Sequence, residues 1–156
     1  MSIKLSQEIV DAINNPTSIK VIASKDRFGT VNVVAKGSIR VTEDGKIRVL
    51  ELLESAQSNK NLTYSLWFNQ TVAINVITAE KKSYQVKGVP VKAVIHGHEF
   101  EEAYKEVIAK DPENDLAAIY YIEPELEKNE TYTVRREEQK KEHPLYFHID
   151  KIAKGE

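Results

Sequence analysis

Residues 19–51 read IKVIASKDRFGTVNVVAKGSIRVTEDGKIRVLE, and this stretch decides the class of fold. Short runs rich in Val and Ile alternate with turn residues, a pattern typical of β-hairpins. Gly29 ends the first turn, where glycine adopts a positive φ at little cost. Asp44-Gly45 predicts a type I′ turn in a second hairpin. We therefore expect antiparallel strands at 19–24, 30–35, 38–42 and 46–51.

The rest of the chain adds further strands and three helices. The spacing of apolar residues predicts helices near 5–15, 54–67 and 99–110. Further strands are expected at 71–78, at 83–95 with a bulge at Gly88 and Pro90, at 116–122 and at 145–152. The remaining segments are predicted to be a polar connection at 124–129, a stretch of undecided structure at 131–136 and a solvated charge run at 137–142.

Together these elements predict a mainly β fold with inserted helices. The strands follow one another without regular βαβ alternation, so the order argues against a doubly wound parallel sheet and favours an antiparallel barrel. A length of 156 residues suits a single domain. We divide it into an N-terminal helix (1–16), a barrel core with helices (17–122) and a C-terminal extension with a last strand (123–156).

The composition excludes several classes of protein. With 22 Lys+Arg against 24 Asp+Glu, we expect no attraction to nucleic acid or to an anionic membrane. Because the chain has no Cys, disulfides, thiolate metal sites and a Cys nucleophile are excluded. The N-terminus turns polar too soon for a signal peptide, and no apolar run is long enough to span a membrane. We expect a cytoplasmic protein.

The sequence offers few catalytic side chains. It contains no Walker loop, no Gly-x-Gly-x-x-Gly and no Gly-x-Ser-x-Gly motif. His96 and His98 would share one face of a strand, but no third ligand follows at a suitable spacing, so turn or helix-start roles are favoured. We therefore predict no catalytic side chain and no metal site.

The polar start of the second helix is the most informative candidate site. A helix N-terminus with a hydroxyl at Ser58 and an ammonium group at Lys60 suits a bound phosphate. The preceding strand could place Lys36 or Ser38 along a planar ring. The alternative is an ordinary N-cap at Ser58 with a solvated Lys60, and taken alone the residues favour that alternative.

The order of these pieces resembles the FMN-binding split β-barrel, the superfamily of pyridoxamine 5′-phosphate oxidase-like flavoproteins. The resemblance covers roughly residues 3–122 and rests on 25–29, 32–38, Asp44-Gly45, Ser58-x-x-Asn61-Leu62, 71–77 and 84–88. It implies an antiparallel split barrel, bound FMN and a homodimer with the flavin at the subunit interface.

The resemblance also implies site residues. In the family a Lys-(Ser/Thr)-x-x-Asn-Leu segment opens the helix, and its first two residues bind the FMN phosphate. Here these positions are Gln57 and Ser58, so a neutral amide replaces the cation. Lys36 or Lys60 is expected to supply the missing charge. The implied cofactor-binding residues are Val34, Ala35, Lys36, Gly37, Ser38, Leu50, Glu51, Leu52, Gln57, Ser58, Lys60 and Asn61.

The hypotheses on function remain open at this point. One is an FMN-dependent oxidoreductase, in which the flavin transfers hydride or electrons to an unknown small-molecule substrate or redox partner. The alternative is a non-catalytic flavin- or ligand-binding or sensing dimer on the same barrel, which the departure at Gln57 favours. A purely structural dimer is the third. The aromatic side chains of Tyr64, Trp67 and Phe68 are expected to pack in the core, and the alternative is that they form a patch at an interface or at the flavin pocket.

Overall fold

The computed structural model describes residues 1–153 and contains one seven-stranded sheet. The strands are β1 Ile19–Lys25, β2 Val31–Ala35, β3 Arg40–Val41, β4 Ile47–Glu51, β5 Val72–Ile77, β6 Ser83–Val94 and β7 Ala118–Asn129. The helices are α1 Gln7–Asn14, α2 Gln57–Trp67, α3 His98–Lys110, α4 Tyr132–Glu142 and α5 Ile149–Ala153, with a 3₁₀ turn at Pro144–Tyr146. The predicted mainly β fold with inserted helices is confirmed.

The sheet has the strand order β2-β1-β5-β6-β7-β4-β3, and every neighbouring pair is antiparallel. Both predicted hairpins are present, and Gly29 has the expected positive φ of 83°. The predicted type I′ turn is wrong. Gly45 has φ 85°, but within residues 1–153 the only non-glycine residues with positive φ are Asn69 and Lys81. A turn that ends on one left-handed glycine is the type I turn with a bulge.

The strand β6 is long and carries the predicted bulge. Its register against β7 shifts between Lys87 and Gly88 and again between Pro90 and Lys92. At Gly88 the two backbones approach so closely that a Cβ would lie 2.4 Å from the Glu123 carbonyl oxygen. Only glycine fits there without displacing the neighbouring strand.

The sheet curls around one core but does not close on itself, because its edge strands β2 and β3 are not paired with each other. Helix α1 packs into the opening and contributes Ile9 and Ile13 to the core. The last residue of α1 is Asn14, and its Oδ1 accepts a hydrogen bond from Val41 N of the edge strand β3 at 2.8 Å. Nearby, Lys20 Nζ donates to Ile13 O at 3.1 Å and to Ile39 O at 2.9 Å. The barrel is therefore split, and polar side chains tie its two edges.

The C-terminal part of the chain corrects two sequence-based expectations and assigns a helix to the two segments between them. The segment predicted as a connection at 124–129 continues β7. The undecided stretch at 131–136 and the charge run at 137–142 form α4, in which no side chain is buried. The predicted strand at 145–152 is wrong, because it contains the 3₁₀ turn and α5 instead. Pro144 stands at the first position of that turn, where proline favours helix over strand. Residues 154–156 of the predicted extension lie outside the described residues.

Two kinds of feature do not occur within residues 1–153. None of the helices there is long and apolar enough to cross a membrane. No group of three or more His, Asp or Glu side chains in that range is placed to hold a metal ion. The cytoplasmic location and the lack of a metal site stay predictions.

Candidate functional site

Three of the predicted cofactor-binding residues, Lys36, Glu51 and Ser58, meet at one buried carboxylate, that of Glu51 at the end of β4. The Glu51 side chain has an exposed fraction of 0%. Its Oε2 accepts a hydrogen bond from Lys36 Nζ at 2.9 Å and another from Ser58 Oγ at 3.0 Å. Lys36 follows β2, and Ser58 is the second residue of α2. The fold thus brings an ammonium group, a hydroxyl and a helix start together around one anion.

The start of α2 has no side-chain cap of its own. Its N-cap is Ala56, which offers no side-chain acceptor to the free N–H groups of the first turn. The alternative of an N-cap at Ser58 is therefore wrong, since Ser58 lies within the helix and is buried. Glu51 accepts a hydrogen bond from Ser58, so its negative charge lies near this end of the helix. The helix dipole stabilises an anion there.

The other polar residues at the start of α2 hold the helix against the sheet. Gln57 Nε2 donates to Asn61 Oδ1 at 2.8 Å. Asn61 is buried, and its Nδ2 donates to Ser24 Oγ on β1 at 3.2 Å. Lys60 is exposed and forms no ion pair with any residue in the described part of the chain. The Ser-x-x-Asn pattern therefore has a structural role in this chain.

Nothing in the sequence pointed to Tyr120, a buried neighbour of the site on β7. Its hydroxyl lies 2.7 Å from Thr63 Oγ1 and donates to Asn59 Oδ1 at 2.9 Å. Burial raises the pKa of Tyr120, the hydrogen bond with Thr63 opposes that change, and the negative charge of Glu51 adds to the rise. A tyrosine within an apolar strand looks like a core residue, and only the fold shows that it faces the first turns of α2.

A cavity of about 400 Å³, here called the strand-end cavity, adjoins the Glu51 cluster. Ser38 shapes it, because its Oγ accepts a hydrogen bond from Leu50 N at 3.2 Å and so fixes the chain after β2 against β4. Of the predicted lining residues, Val34 packs against the core instead. The cavity is lined by Ala35, Lys36, Gly37, Ser38, Leu50, Leu52, Leu53, Ala56, Glu113, Asn114 and Asp115.

The groups around Ser58 do not fit the FMN phosphate. The hydroxyl of Ser58 and the ammonium of Lys36 are already bound to Glu51 Oε2. The second oxygen, Oε1, is buried without a hydrogen-bond partner among residues 1–153. A phosphate at this position would meet a carboxylate of the same charge in a site that water screens poorly. The hydroxyl and the ammonium group expected at the phosphate are therefore bound by the chain's own carboxylate, and the cofactor-binding roles stay predictions.

Two further candidates lie away from this cluster. The prediction of core packing is wrong for the aromatic residues at the end of α2, since Trp67 is 79% and Phe68 is 63% exposed. The ring of Tyr64 lies 5.0 Å from that of Phe68, centroid to centroid. His96 and His98 are both exposed at the start of α3, where Gly97 between them has φ 94°.

The comparisons with solved structures establish the fold. No protein-family model and no characterised protein matches the sequence. HupZ from Group A Streptococcus matches with 23% identity over 82% of this chain and 95% of its own, at a TM-score of 0.64. A candidate pyridoxamine 5′-phosphate oxidase from Lactobacillus delbrueckii matches with 23% identity over 80% and 93%, at a TM-score of 0.57. The chain therefore has the pyridoxamine 5′-phosphate oxidase-like split-barrel fold that the resemblance predicted.

Flavin and heme each appear in the description of one matched protein. An FMN-binding protein from Syntrophomonas wolfei is 12% identical over 78% of this chain and 86% of its own, with a TM-score of 0.58. HutZ from Vibrio cholerae, a heme storage protein, is 17% identical over 81% and 95%, with a TM-score of 0.54. Proteins of this fold therefore include a flavin binder and a protein that stores heme.

Proposed function

We propose that this split-barrel protein is a non-catalytic ligand-binding protein. Its ligand is a flat ring compound, and no phosphate group of that ligand contacts Ser58. The observation that carries the proposal is the buried Glu51 carboxylate, which engages both Lys36 and Ser58. The strand-end cavity beside it is lined on one side by apolar groups of Ala35, Leu52 and Leu53. A ring can pack against such groups, whereas a phosphate needs free cations or N–H donors.

The FMN-dependent oxidoreductase is the second candidate, and the likeness to an FMN-binding protein supports it. It requires a phosphate anchor that the Glu51 cluster opposes. The likeness to the heme storage protein HutZ supports the first candidate, because storage of a flat ring needs no catalytic side chain. We therefore place ligand binding before flavin chemistry for this chain.

Flavin titrations test this function. Riboflavin carries the same ring as FMN without the phosphate, so fluorescence titration with both flavins isolates the contribution of the phosphate. We expect riboflavin to bind at least as tightly as FMN, and NAD(P)H oxidation with added FMN to stay at the rate of free FMN. Binding of FMN about tenfold tighter than riboflavin, the size of a charge-assisted phosphate contact, would contradict the proposal if the variant Ser58→Ala removes the difference. So would failure of both flavins to bind.

The predicted homodimer gains support from an apolar face of the sheet. Val31 and Val33 on the edge strand β2 are 67% and 62% exposed, and Ile19 on β1 is 60% exposed. Val33 is opposite Ala23, and Ile77 is opposite Ile19. Because every second residue of a strand faces the same side, Ile19 and Ala23 share a face of β1, and that face is shared by Val31 and Val33 of β2. A contiguous exposed apolar face is typical of an interaction surface. We propose that a second copy of this chain covers it.

Light scattering coupled to gel filtration tests the dimer. A charge at Val33 would lie within the apolar face, so Val33→Asp is expected to convert the dimer to a monomer. Val91→Asp is the matched control, since Val91 on β6 is also an exposed valine but lies outside this face. A wild-type monomer, or a Val33→Asp variant that remains dimeric, would overturn this assignment.

A further inference from the structure

A second cavity, here called the cationic cleft, lies between the split edge of the barrel and α3. Its volume is about 440 Å³. Four cationic side chains line it, from β1, β3, β4 and the end of α3, and they face a single carboxylate, that of Glu106. The four cations are Lys20, Arg40, Arg48 and Lys110. The cleft adjoins the strand-end cavity through Gly37 and Ser38, which line both.

The two innermost cations of the cleft are buried and incompletely paired. Arg48 is 6% exposed, and its Nη2 lies 3.2 Å from Glu106 Oε2. Its Nε is buried without an acceptor among residues 1–153. Lys20 is also 6% exposed, and its Nζ donates to two backbone carbonyls but to no carboxylate in that range. An ammonium group has three donors, so one proton of Lys20 is left for a ligand.

The charges of the cleft repel one another. Burial lowers the pKa of Lys20, and the positive charge of Lys110 lowers it further. Glu106 also reaches Arg40, whose Nη1 lies 3.8 Å from Glu106 Oε1, so one carboxylate is shared between two guanidinium groups. An excess of buried cations is costly unless an anion accompanies them.

We propose that the cationic cleft is a binding site for a small oxyanion, carried by a carboxylate or a phosphate group, with Lys20 as its principal hydrogen-bond donor and Arg48 as its principal inner charge. The third proton of Lys20 supplies a hydrogen bond, the guanidinium group of Arg48 adds charge at the inner wall, and Arg40 and Lys110 add charge at the mouth. This site is separate from the Glu51 cluster, where the anion belongs to the chain itself.

Titration with inorganic phosphate and with succinate tests the site. Chemical-shift changes of backbone amides are followed at constant ionic strength, with sodium chloride as the reference salt. We expect saturable shifts at Ser38, Arg48 and Lys110 with at least one probe. Saturation with phosphate alone would show that the oxyanion is a phosphate group, and saturation with succinate alone would show that it is a carboxylate. Shifts that sodium chloride reproduces, or no saturable shift with either probe, would overturn the proposal.

Exposed residues of α3 provide variants that keep the fold. Lys110→Gln removes one cation of the cleft and is expected to weaken the probe's affinity about threefold, the size of one half-exposed charge interaction. Lys105→Gln is the matched control, because Lys105 is on the same helix but does not line the cleft. Glu106→Gln removes the competing carboxylate and is expected to tighten binding by about the same factor. Equal affinities in the Lys110→Gln and Lys105→Gln variants would also contradict the assignment.

Discussion

Ser58 Oγ lies 3.0 Å from Oε2 of Glu51, so the hydroxyl expected to bind a cofactor phosphate instead binds a carboxylate of the same chain. This single contact changes what the helix start can do. A phosphate site consists of a helix N-terminus, a hydroxyl and a cation, and all three are present. Glu51 accepts hydrogen bonds from the hydroxyl and the ammonium group, so two of these three groups are engaged within the chain. This supports the proposed ligand without a phosphate at Ser58.

The ion pair between Lys36 and Glu51 predicts an asymmetric response to substitution. Lys36 is 15% exposed and Glu51 is 0% exposed, so only the lysine can turn toward water when its partner is removed. Lys36→Met leaves a buried carboxylate unpaired and is expected to lower the free energy of unfolding by about 3 kcal/mol. Glu51→Gln is expected to lower it by less than about 1 kcal/mol. Urea unfolding followed by circular dichroism measures both.

A double variant provides the control for this prediction. In Lys36→Met with Glu51→Gln, the buried charge and its partner are removed together, and stability is expected to return most of the way to wild type. Equal losses in the two single variants, or additive losses in the double variant, would show that the two side chains are not coupled as the structure has them.

Tyr84 on β6 predicts a loss of stability at alkaline pH. Burial, a 2.5 Å hydrogen bond to Glu8 Oε1 and the negative charge of Glu8 together raise its pKa to about 12. The folded state then keeps a proton that the unfolded chain releases above its usual value of 10.0. This contribution is complete below pH 10 and is lost as the pH rises toward 12.

The variant Tyr84→Phe isolates that contribution, because every other titrating group is common to both proteins. The difference in unfolding free energy between wild type and Tyr84→Phe is expected to shrink between pH 9 and pH 12. Denaturant unfolding at a series of pH values gives the difference directly. A difference that stays constant over this range would show that the Tyr84 phenol titrates alike in the folded and unfolded states.

The bulge on β6 predicts a strong preference for glycine at one position. Gly88→Ala places a Cβ 2.4 Å from the Glu123 carbonyl oxygen and 2.9 Å from Ile122 Cγ2, so β7 must shift. We expect a loss of about 2 kcal/mol in the free energy of unfolding. Gly37→Ala is the matched control, since a Cβ there meets no atom within 4 Å and is expected to change stability by less than about 0.5 kcal/mol. Equal effects at the two glycines would contradict the close approach of β6 and β7.

The barrel was predictable because its signals are local. Val and Ile runs bounded by Gly29 and Gly45 specify hairpins, and the confirmed bulge follows from Gly88 and Pro90. The C-terminal part failed for the opposite reason. Apolar residues at 145–152 suggest a strand locally, but a strand also needs a partner in the sheet, and neither edge strand, β2 nor β3, pairs with this segment. Pairing of distant edges is not visible in a local pattern.

The sequence predicted which residues meet at the candidate site but not the role of each residue there. The resemblance singled out Lys36, Glu51 and Ser58, and the fold brings all three together. Glu51 is itself the anion of this site, because its side chain is buried at the end of β4 and accepts hydrogen bonds from Lys36 and Ser58. Burial and side-chain direction cannot be inferred from the sequence. Tyr120 and the cationic side chains of the cleft come from strands and a helix that are distant in sequence, so spacing carried no signal for them.

A final experiment compares FMN with riboflavin binding in wild type and in Glu51→Ala. The substitution frees Lys36 and Ser58 for a phosphate and changes neither the apolar groups of Ala35, Leu52 and Leu53 nor the cations of the cleft. Circular dichroism verifies that the variant is folded. We expect the affinity for FMN relative to riboflavin to rise about tenfold or more in Glu51→Ala, the contribution of a charge-assisted contact. An unchanged ratio would show that Glu51 does not occupy the phosphate position.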